Sequence, residues 1–228
     1  MLLFFLSSGL FLGWSLGAND ASNVFGTAVA TRMVKFKTAA YVCSIFVILG
    51  AVISGAGASH TLGKLGAINA LAGSFMVALA AAFTVYWMTR LRLPVSTSQA
   101  IVGAIIGWNH FSGTLTDYNS LIKIVTTWVV CPFLAAVISI VLYKFAKLYL
   151  SKTKIHLLRM DSYTRVSLFL VGAFGSYSLG ANNIANVMGV FVPVTPFKSF
   201  HLFGLFHLSS AQQLFFLGGI AIAVGVFT

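Results

Sequence analysis

The chain has 228 residues, 59% of them hydrophobic and only 7% charged, where an average soluble domain is about 25% charged. That balance excludes a water-soluble globular protein and describes a chain whose solvent is lipid. Lys and Arg outnumber Asp and Glu by 14 to 3, for a net charge of +11, but the cations fall in short connections between apolar runs, so they read as membrane topology and not as a nucleic-acid surface.

Seven charge-poor runs follow in order: Met1 to Thr31, broken only by Asp20; Thr38 to Ser59; Leu65 to Thr89; Leu93 to Thr116; Ile124 to Tyr143; Val166 to Phe197; and Ser199 to Thr228. Most reach the roughly 20 residues a spanning helix needs, which predicts an all-α polytopic membrane protein of about seven hydrophobic spans. The first run has no Lys or Arg ahead of it and passes into a polar segment without a small-residue cleavage site, so no cleaved signal peptide is expected. Arg32, Lys35 and Lys37 follow the first run, and Arg90 and Arg92 follow the third. Lys144, Lys147, Lys152, Lys154, Arg159 and Arg165 surround the fifth connection, whereas the stretch from Ser59 to Leu65 holds only Lys64. The positive-inside rule then places the N-terminus outside, provided that Leu93 to Thr116 crosses fully or pairs in a hairpin equivalent to a crossing. Five crossings precede the basic connection, and an odd number inverts what comes after it. Arg90 and Arg92 stand near enough to Pro94 to steer anions, but are assigned as interfacial anchors. Cys43 and Cys131 read as buried, inert thiols, and no disulfide or metal framework is visible. His60, His110, His156, His201 and His207 never fall at paired ligand spacing and read as interfacial or solvated.

One polar segment occurs twice. Ser15-Leu16-Gly17-Ala18-Asn19-Asp20-Ala21-Ser22-Asn23-Val24-Phe25-Gly26 and Ser178-Leu179-Gly180-Ala181-Asn182-Asn183-Ile184-Ala185-Asn186-Val187-Met188-Gly189 agree at eight of twelve positions across a spacing of 163. Both copies lie in apolar runs, where each amide or carboxylate must find a partner because hydrocarbon offers no water. Gly-interrupted, Asn-rich breaks at corresponding positions of two halves point to a substrate site between inverted repeats, and so to a transporter. Asp20 is the only ionisable side chain between Met1 and Thr31, and an Asp in mid-span costs a few kcal/mol (about 2.5–3.5 on insertion scales). Two readings fit it: a group facing a cavity, a cation or a proton relay, or the cap of a helix starting near Asn19 after another ends at Ser15 to Gly17. Asn19 and Asn23 beside it favour the first, because carboxylate, amide and unwound backbone oxygens suit a hard cation such as sodium.

An anion needs donors, and Leu93-Pro94-Val95-Ser96-Thr97-Ser98-Gln99-Ala100 supplies them. Pro94 reads as the first residue of a helix whose free N–H groups point outward, with Ser96, Thr97 and Ser98 adding hydroxyls at the same end. The alternative is that these hydroxyls satisfy their own helix beside a turn. No Lys or Arg lies inside a span, which argues against a fixed cationic clamp and for entry of the anion together with a cation.

The two tags and the Pro94 segment, in this order, resemble the signature segments of the inorganic phosphate transporter (PiT) family over essentially the whole chain. The resemblance implies a secondary carrier of phosphate with an inverted-repeat fold that includes broken helices or a hairpin. Its partners would be inorganic phosphate, the bilayer of a plasma (inner) membrane and a second copy in a homodimer, with no nucleic acid. It assigns Ser96, Thr97, Ser98, Gln99, Asn182 and Asn183 to phosphate, and Asp20, Asn19, Asn23 and Asn186 to the coupling ion. That ion is sodium, held at Asp20 and Asn23, or a proton, and no other cofactor is implied. Asn183 stands where many members carry a second Asp. Residues 1–150 form the first repeat, 151–165 a basic linker and 166–228 the start of a second repeat. The counterpart of Pro94 should fall near position 257, so the chain is read as incomplete within that repeat and is expected to transport weakly or not at all by itself. Three alternatives stand beside this reading: a permease for sulfate or another oxyanion, a non-transporting assembly subunit, and an intramembrane hydrolase pairing Ser96 or Ser98 with His110. The last lacks a G-x-S-x-G elbow and leaves the paired tags unexplained.

Overall fold

The structure is a computed structural model that describes residues 1–57, 65, 68, 70–152, 156–197, 200–202 and 206–228. His60, Lys64 and Lys154 lie outside the described residues, as do the side chains of His201 and His207. Among the described residues there are seven α-helices: α1 (Leu2–Ala30), α2 (Phe36–Ser54), α3 (Leu71–Arg90), α4 (Thr97–Ser112), α5 (Tyr118–Lys152), α6 (Leu157–Met188) and α7 (Ser210–Gly225). A single 3₁₀ turn, Gly189–Phe191, follows α6. The one departure from an all-helical chain among the described residues is a short antiparallel ribbon, β1 (Phe200–Leu202) and β2 (Phe206–Leu208), ahead of α7.

α1, α2, α3 and α5 are long and apolar enough to cross a membrane. α6 has the length, but Arg159, Asp161 and Arg165 load its first third. α4 and α7 have 16 residues each, about 24 Å of rise against a hydrocarbon core of about 30 Å. The helix in the Leu93 to Thr116 run is therefore shorter than that core. Trp108 near the end of α4 packs on Gly73 near the start of α3, so the two helices run antiparallel. Gly113 ends α4 at φ 70°, a left-handed conformation that glycine adopts without a Cβ clash.

Neighbour contacts fix the relative directions of α1, α3 and α6. Phe5 meets Phe75, Phe11 meets Phe83 and Trp14 meets Tyr86, so α1 and α3 are parallel and both end at their arginines. Gly172 and Gly175 of α6 face Phe25 and Val24 of α1, so α6 runs the opposite way to α1, and its basic start lies at that same end. The two tag-bearing helices are thus inverted relative to one another, as the odd number of preceding passes requires.

The inversion is repeated in atomic detail by four glycines. A Cβ on Gly17 would overlap the Ile222 carbonyl oxygen, and one on Gly180 would overlap that of Val47. A Cβ on Gly225 would run into the Trp14 carbonyl oxygen, and one on Gly50 into that of Tyr177. Gly17 and Gly180 hold the same place in their tags, as do Trp14 and Tyr177 immediately before them. α1 therefore packs on α7 as α6 packs on α2, backbone against backbone, which is how small residues let helices associate in lipid. The spacing between equivalent residues is 163 from Gly17 to Gly180 but 175 from Gly50 to Gly225, and the β1–β2 ribbon lies in the segment that absorbs the difference.

The core formed by α1, α2, α3, α6 and α7 includes Leu12, Leu16, Val47, Val85, Ile184, Phe191, Phe215 and Ile222, each fully buried. α5 touches that core only near its start, through Leu121, Ile124 and Trp128. It is the most apolar of the candidate spans, yet Ser120 is its only buried residue, and Cys131 is exposed on it, against the sequence expectation of a buried thiol, because none of the described residues covers that face. Cys43 is buried as expected.

Candidate functional site

The loop between α3 and α4 is where the three motifs meet. α3 ends in a left-handed residue, Arg92 at φ 57°, whose turn is closed by the Leu93 N–H on the Met88 carbonyl at 3.0 Å. The chain then extends through Pro94 to Ser96, the N-cap of α4. Pro94 is therefore not the first helical residue: it precedes the cap, and the helix starts at Thr97. The Ser96 hydroxyl accepts from the Gln99 N–H at 3.3 Å, so one of its two expected roles, capping its own helix, is in place, while its O–H remains a donor. Ser96 and the Gln99 side chain are exposed. Thr97 is 3% exposed, and its hydroxyl has no hydrogen-bond partner. A buried hydroxyl left unpaired costs about 1–3 kcal/mol, a cost that a bound ligand removes.

The first tag approaches this loop from one side. The Asn19 amide nitrogen donates to the Asp20 carboxylate at 2.7 Å and to the Val95 carbonyl at 3.3 Å, while its oxygen accepts from the Thr89 hydroxyl at 3.3 Å. Both Asn19 and Asp20 are half-buried. The second tag approaches from the other side. The Asn186 amide, 8% exposed, donates to the Ser98 hydroxyl at 2.8 Å and to the Asn183 oxygen at 3.0 Å. Four of the ten assigned residues thus sit in or directly against the loop and the helix start it leads into, Asn19, Thr97, Ser98 and Asn186, and two more, Asp20 and Asn183, are tied to them through Asn19 and Asn186. Ser96 and Gln99 complete the helix start. Asn23 and Asn182 are exposed, without a side-chain partner among the described residues.

Two expectations are corrected here. α1 runs unbroken from Leu2 to Ala30, so the carbonyls of the first tag are used within the helix and are not free cation ligands. Asp20 does not cap a helix either. The reason is local: Asn19 finds its three partners, Asp20, Val95 and Thr89, through its side chain, so the backbone has no need to open. The second tag is likewise helical up to Met188, where α6 ends and the 3₁₀ turn begins, and the Ser74 hydroxyl secures that turn by donating to the Val190 carbonyl at 2.7 Å. The hydrolase pairing also fails on geometry. His110 lies at the far end of a straight α4, about 20 Å from Ser96 at 1.5 Å per residue.

Two contributors escaped the sequence reading. Thr89 fixes the Asn19 amide, and no motif marked it. Asn109, 0% exposed, holds the far end of the hairpin: its nitrogen donates to the Leu65 carbonyl at 3.4 Å and to Thr116 at 3.0 Å, and its oxygen accepts from Thr114 at 3.2 Å. Beside it Asp117 opens α5, accepting from the Ser120 hydroxyl at 2.6 Å and the Asn119 N–H at 3.1 Å. The Ser120 hydroxyl above all, helped by backbone N–H groups and Lys123, holds the Asp117 carboxyl below the usual carboxylate range against a small opposing desolvation.

Inverted helices that bracket a polar loop with their matching tags define a membrane transport protein. Residues 16–162 match the phosphate transporter family, and the chain belongs to that family, which is one of transporters and not of enzymes. The mouse sodium-dependent phosphate transporter 1 is 29% identical over 217 residues, spanning 87% of this chain and 30% of that protein. A Methanocaldococcus jannaschii protein named as a candidate phosphate permease is 25% identical over 218 residues, 95% of this chain and 63% of its own length. The chain thus spans between 30% and 63% of these relatives. A solved structure, the sodium-dependent phosphate transporter, superposes with a TM-score of 0.76 at 24% identity, covering 99% of this chain and 74% of that one; at that identity the likeness is one of fold.

Proposed function

We propose that the chain belongs to a carrier that moves inorganic phosphate across a membrane on a sodium gradient. Phosphate is held at Ser96, Thr97, Ser98 and Gln99 with Asn182 and Asn183, and sodium at Asp20 with Asn19, Asn23 and Asn186. One observation carries the reading: both tags hydrogen-bond to the same short loop, through Val95 and Ser98, and Thr97 between them offers a buried hydroxyl with no partner. With the Gln99 N–H taken by the Ser96 cap, the Thr97 and Ser98 N–H groups at the start of α4 have no intrahelical acceptor, and together with the Thr97 hydroxyl they form a neutral donor set at the positive end of a helix. Such a set holds an anion without trapping it. The carboxylate of Asp20, adjacent but on a separate helix, supplies the negative charge a co-transported cation needs. Sodium is preferred to a proton because the mouse relative is named for sodium dependence.

The same reading divides the chain into a first repeat over 1–150, a basic linker over 151–165 and the start of a second repeat over 166–228. It places the N-terminus outside a plasma or inner membrane, with the arginine-rich helix ends inside, and gives the unpacked face of α5 to a second copy in a homodimer. The decisive experiment is phosphate uptake into proteoliposomes by a version of this chain extended through the second-repeat counterpart of the Pro94 segment, with and without a sodium gradient, with sulfate as competitor. Uptake that needs sodium and ignores sulfate is expected. Equal uptake of sulfate, or accumulation driven by a proton gradient alone, would replace phosphate or sodium in the assignment.

A further inference from the structure

A basic cleft lies at the end of the molecule where α1 stops and α6 starts, on residues that take no part in the site above. It measures about 340 Å³, and its walls include Met33, Val34 and Lys35 of the turn between α1 and α2 and Arg165, Val166 and Phe169 of α6. The turn is held from inside. The Val34 N–H donates to the Ala28 carbonyl at 3.0 Å and the Val34 side chain is buried, so Lys35 leaves a fixed backbone. On the opposite wall the Arg165 Nε donates to the Asp161 carboxylate at 3.2 Å, which leaves the two terminal nitrogens as donors. Asp161 is the one acidic residue set against Arg32, Lys35, Lys37 and Arg165, and its exposed ion pair with Arg165 is of a weak kind. α2 also opens with Lys35 as its N-cap, Lys37 in its first turn and no acidic residue there, the reverse of what a helix dipole favours. An anion in the cleft relieves that repulsion.

We infer that this cleft binds the headgroup of an anionic phospholipid. The cations ask for an anion, and the walls decide which one. Met33, Val34, Val166 and Phe169 are apolar, and from the cleft Val166, Leu170 and Phe174 continue along α6 at four-residue spacing, 56%, 62% and 72% exposed. α6 runs from this basic end into the span, since Gly172 faces Phe25 and Gly175 faces Val24, so the stripe leads from the cations toward the middle of the bilayer. A free inorganic anion has no use for such a stripe, whereas an acyl chain below a phosphodiester does. The volume stands at the small end of ligand pockets, which gives room for a headgroup and leaves the chains of the lipid to lie along the stripe outside. The stems of Lys35 and Arg165 suit the same place, with carbon against the apolar wall and charge at the headgroup. None of these residues holds phosphate or sodium in the assignment above.

The test is native mass spectrometry of the 228-residue chain released from nanodiscs of phosphatidylcholine and phosphatidylglycerol in equal parts, counting the lipid that stays bound. Retention of phosphatidylglycerol in preference to phosphatidylcholine is expected. Lys35→Gln with Arg165→Gln should lower that preference about tenfold or more. Lys144→Gln with Lys147→Gln, an equal loss of charge on α5 outside the cleft, should leave it unchanged. Lys35→Arg with Arg165→Lys keeps both charges and should retain the lipid, so that a loss in the first glutamine pair reports charge and not folding. Asp161→Asn removes the competing carboxylate and should raise the preference about threefold. Equal retention of the two lipids by the wild-type chain overturns the site. An equal fall in both glutamine pairs also overturns it, because it marks diffuse attraction by net charge. If inorganic phosphate strips phosphatidylglycerol from the wild-type chain where sodium chloride of the same ionic strength does not, the cleft takes the free anion and the lipid assignment fails.

Discussion

The two tags agree at eight of twelve positions, yet they meet the α3–α4 loop through different residues. In α1 the fifth residue of the tag, Asn19, reaches the Val95 carbonyl and carries Asp20 with it. In α6 it is the ninth, Asn186, that reaches the Ser98 hydroxyl, backed by Asn183. Two helices of opposite direction cannot present the same position to a single loop from two sides, so the loop itself breaks the repeat's symmetry. The charged tag is left against a backbone carbonyl and the neutral tag against a hydroxyl. Where two motifs are nearly identical in sequence, division of labour comes from what each is packed against.

The largest expected effect tests whether the two halves are equivalent at all. Gly17→Val and Gly180→Val each drive a side chain into a carbonyl of the neighbouring helix, and both should abolish recovery of monodisperse protein on size-exclusion chromatography. Overpacking of this kind costs about 1–3 kcal/mol or more, and here the obstacle is backbone that cannot rotate away. Gly103→Ala and Gly107→Ala, which have no atom within 4 Å of the new methyl, should fold normally. If one tag glycine tolerates valine, the helix pairs are not equivalent.

Next comes the charge. Asp20→Asn should abolish the sodium dependence of phosphate uptake in a complete carrier while expression is retained, since the change conserves shape and removes only charge. Asn183→Asp should be tolerated and should strengthen the response to sodium or alter its stoichiometry. Retained coupling in Asp20→Asn would move the cation to other ligands. Smaller again, Ser96→Ala combined with Thr97→Ala should raise the half-saturating phosphate concentration about tenfold or more, at about 1–3 kcal/mol for each lost donor; unchanged affinity moves phosphate off the loop. The smallest effect is at the far end of the hairpin. Because the folded Asp117 carboxyl titrates below its ordinary value of 3.8, its contribution is present above that value and fades as pH falls through the folded one. Asp117→Asn should therefore lower the melting temperature slightly at pH 7 and not at all in strong acid.

Much of this was legible in the residues. Seven apolar runs gave seven helices because hydrocarbon forces every backbone group into an internal bond, and the tags converged on Pro94 to Gln99 because polar residues in that setting must find each other. The helix register was not legible. Pro94 fits a first helical turn as well as the position ahead of a cap, and only the Ser96–Gln99 bond separates the two. Asn19 carried no sign that a threonine 70 residues away would satisfy it and spare the helix from unwinding. Asn109 is a single amide in an apolar run, and its role depends on three loop groups that approach only after folding. Cys131 looked buried because composition cannot distinguish a helix packed in a core from one with an apolar face that none of the described residues covers.

The reciprocal glycine contacts also bear on how such a chain is made. α2 touches its sequence neighbour α1 far less than it touches α6, and α1, though it packs on α3, turns another face to α7, so α1 and α2 each wait for a partner synthesised more than a hundred residues later. Contacts so distant in sequence are slow to form, and during that wait Gly17 and Gly50 present bare backbone to lipid. Synthesis therefore passes through a half-built object in which α1 and α3 can pair while these glycine faces are still uncovered. Insertion machinery or surrounding lipid must keep them from aggregating until the second tag arrives.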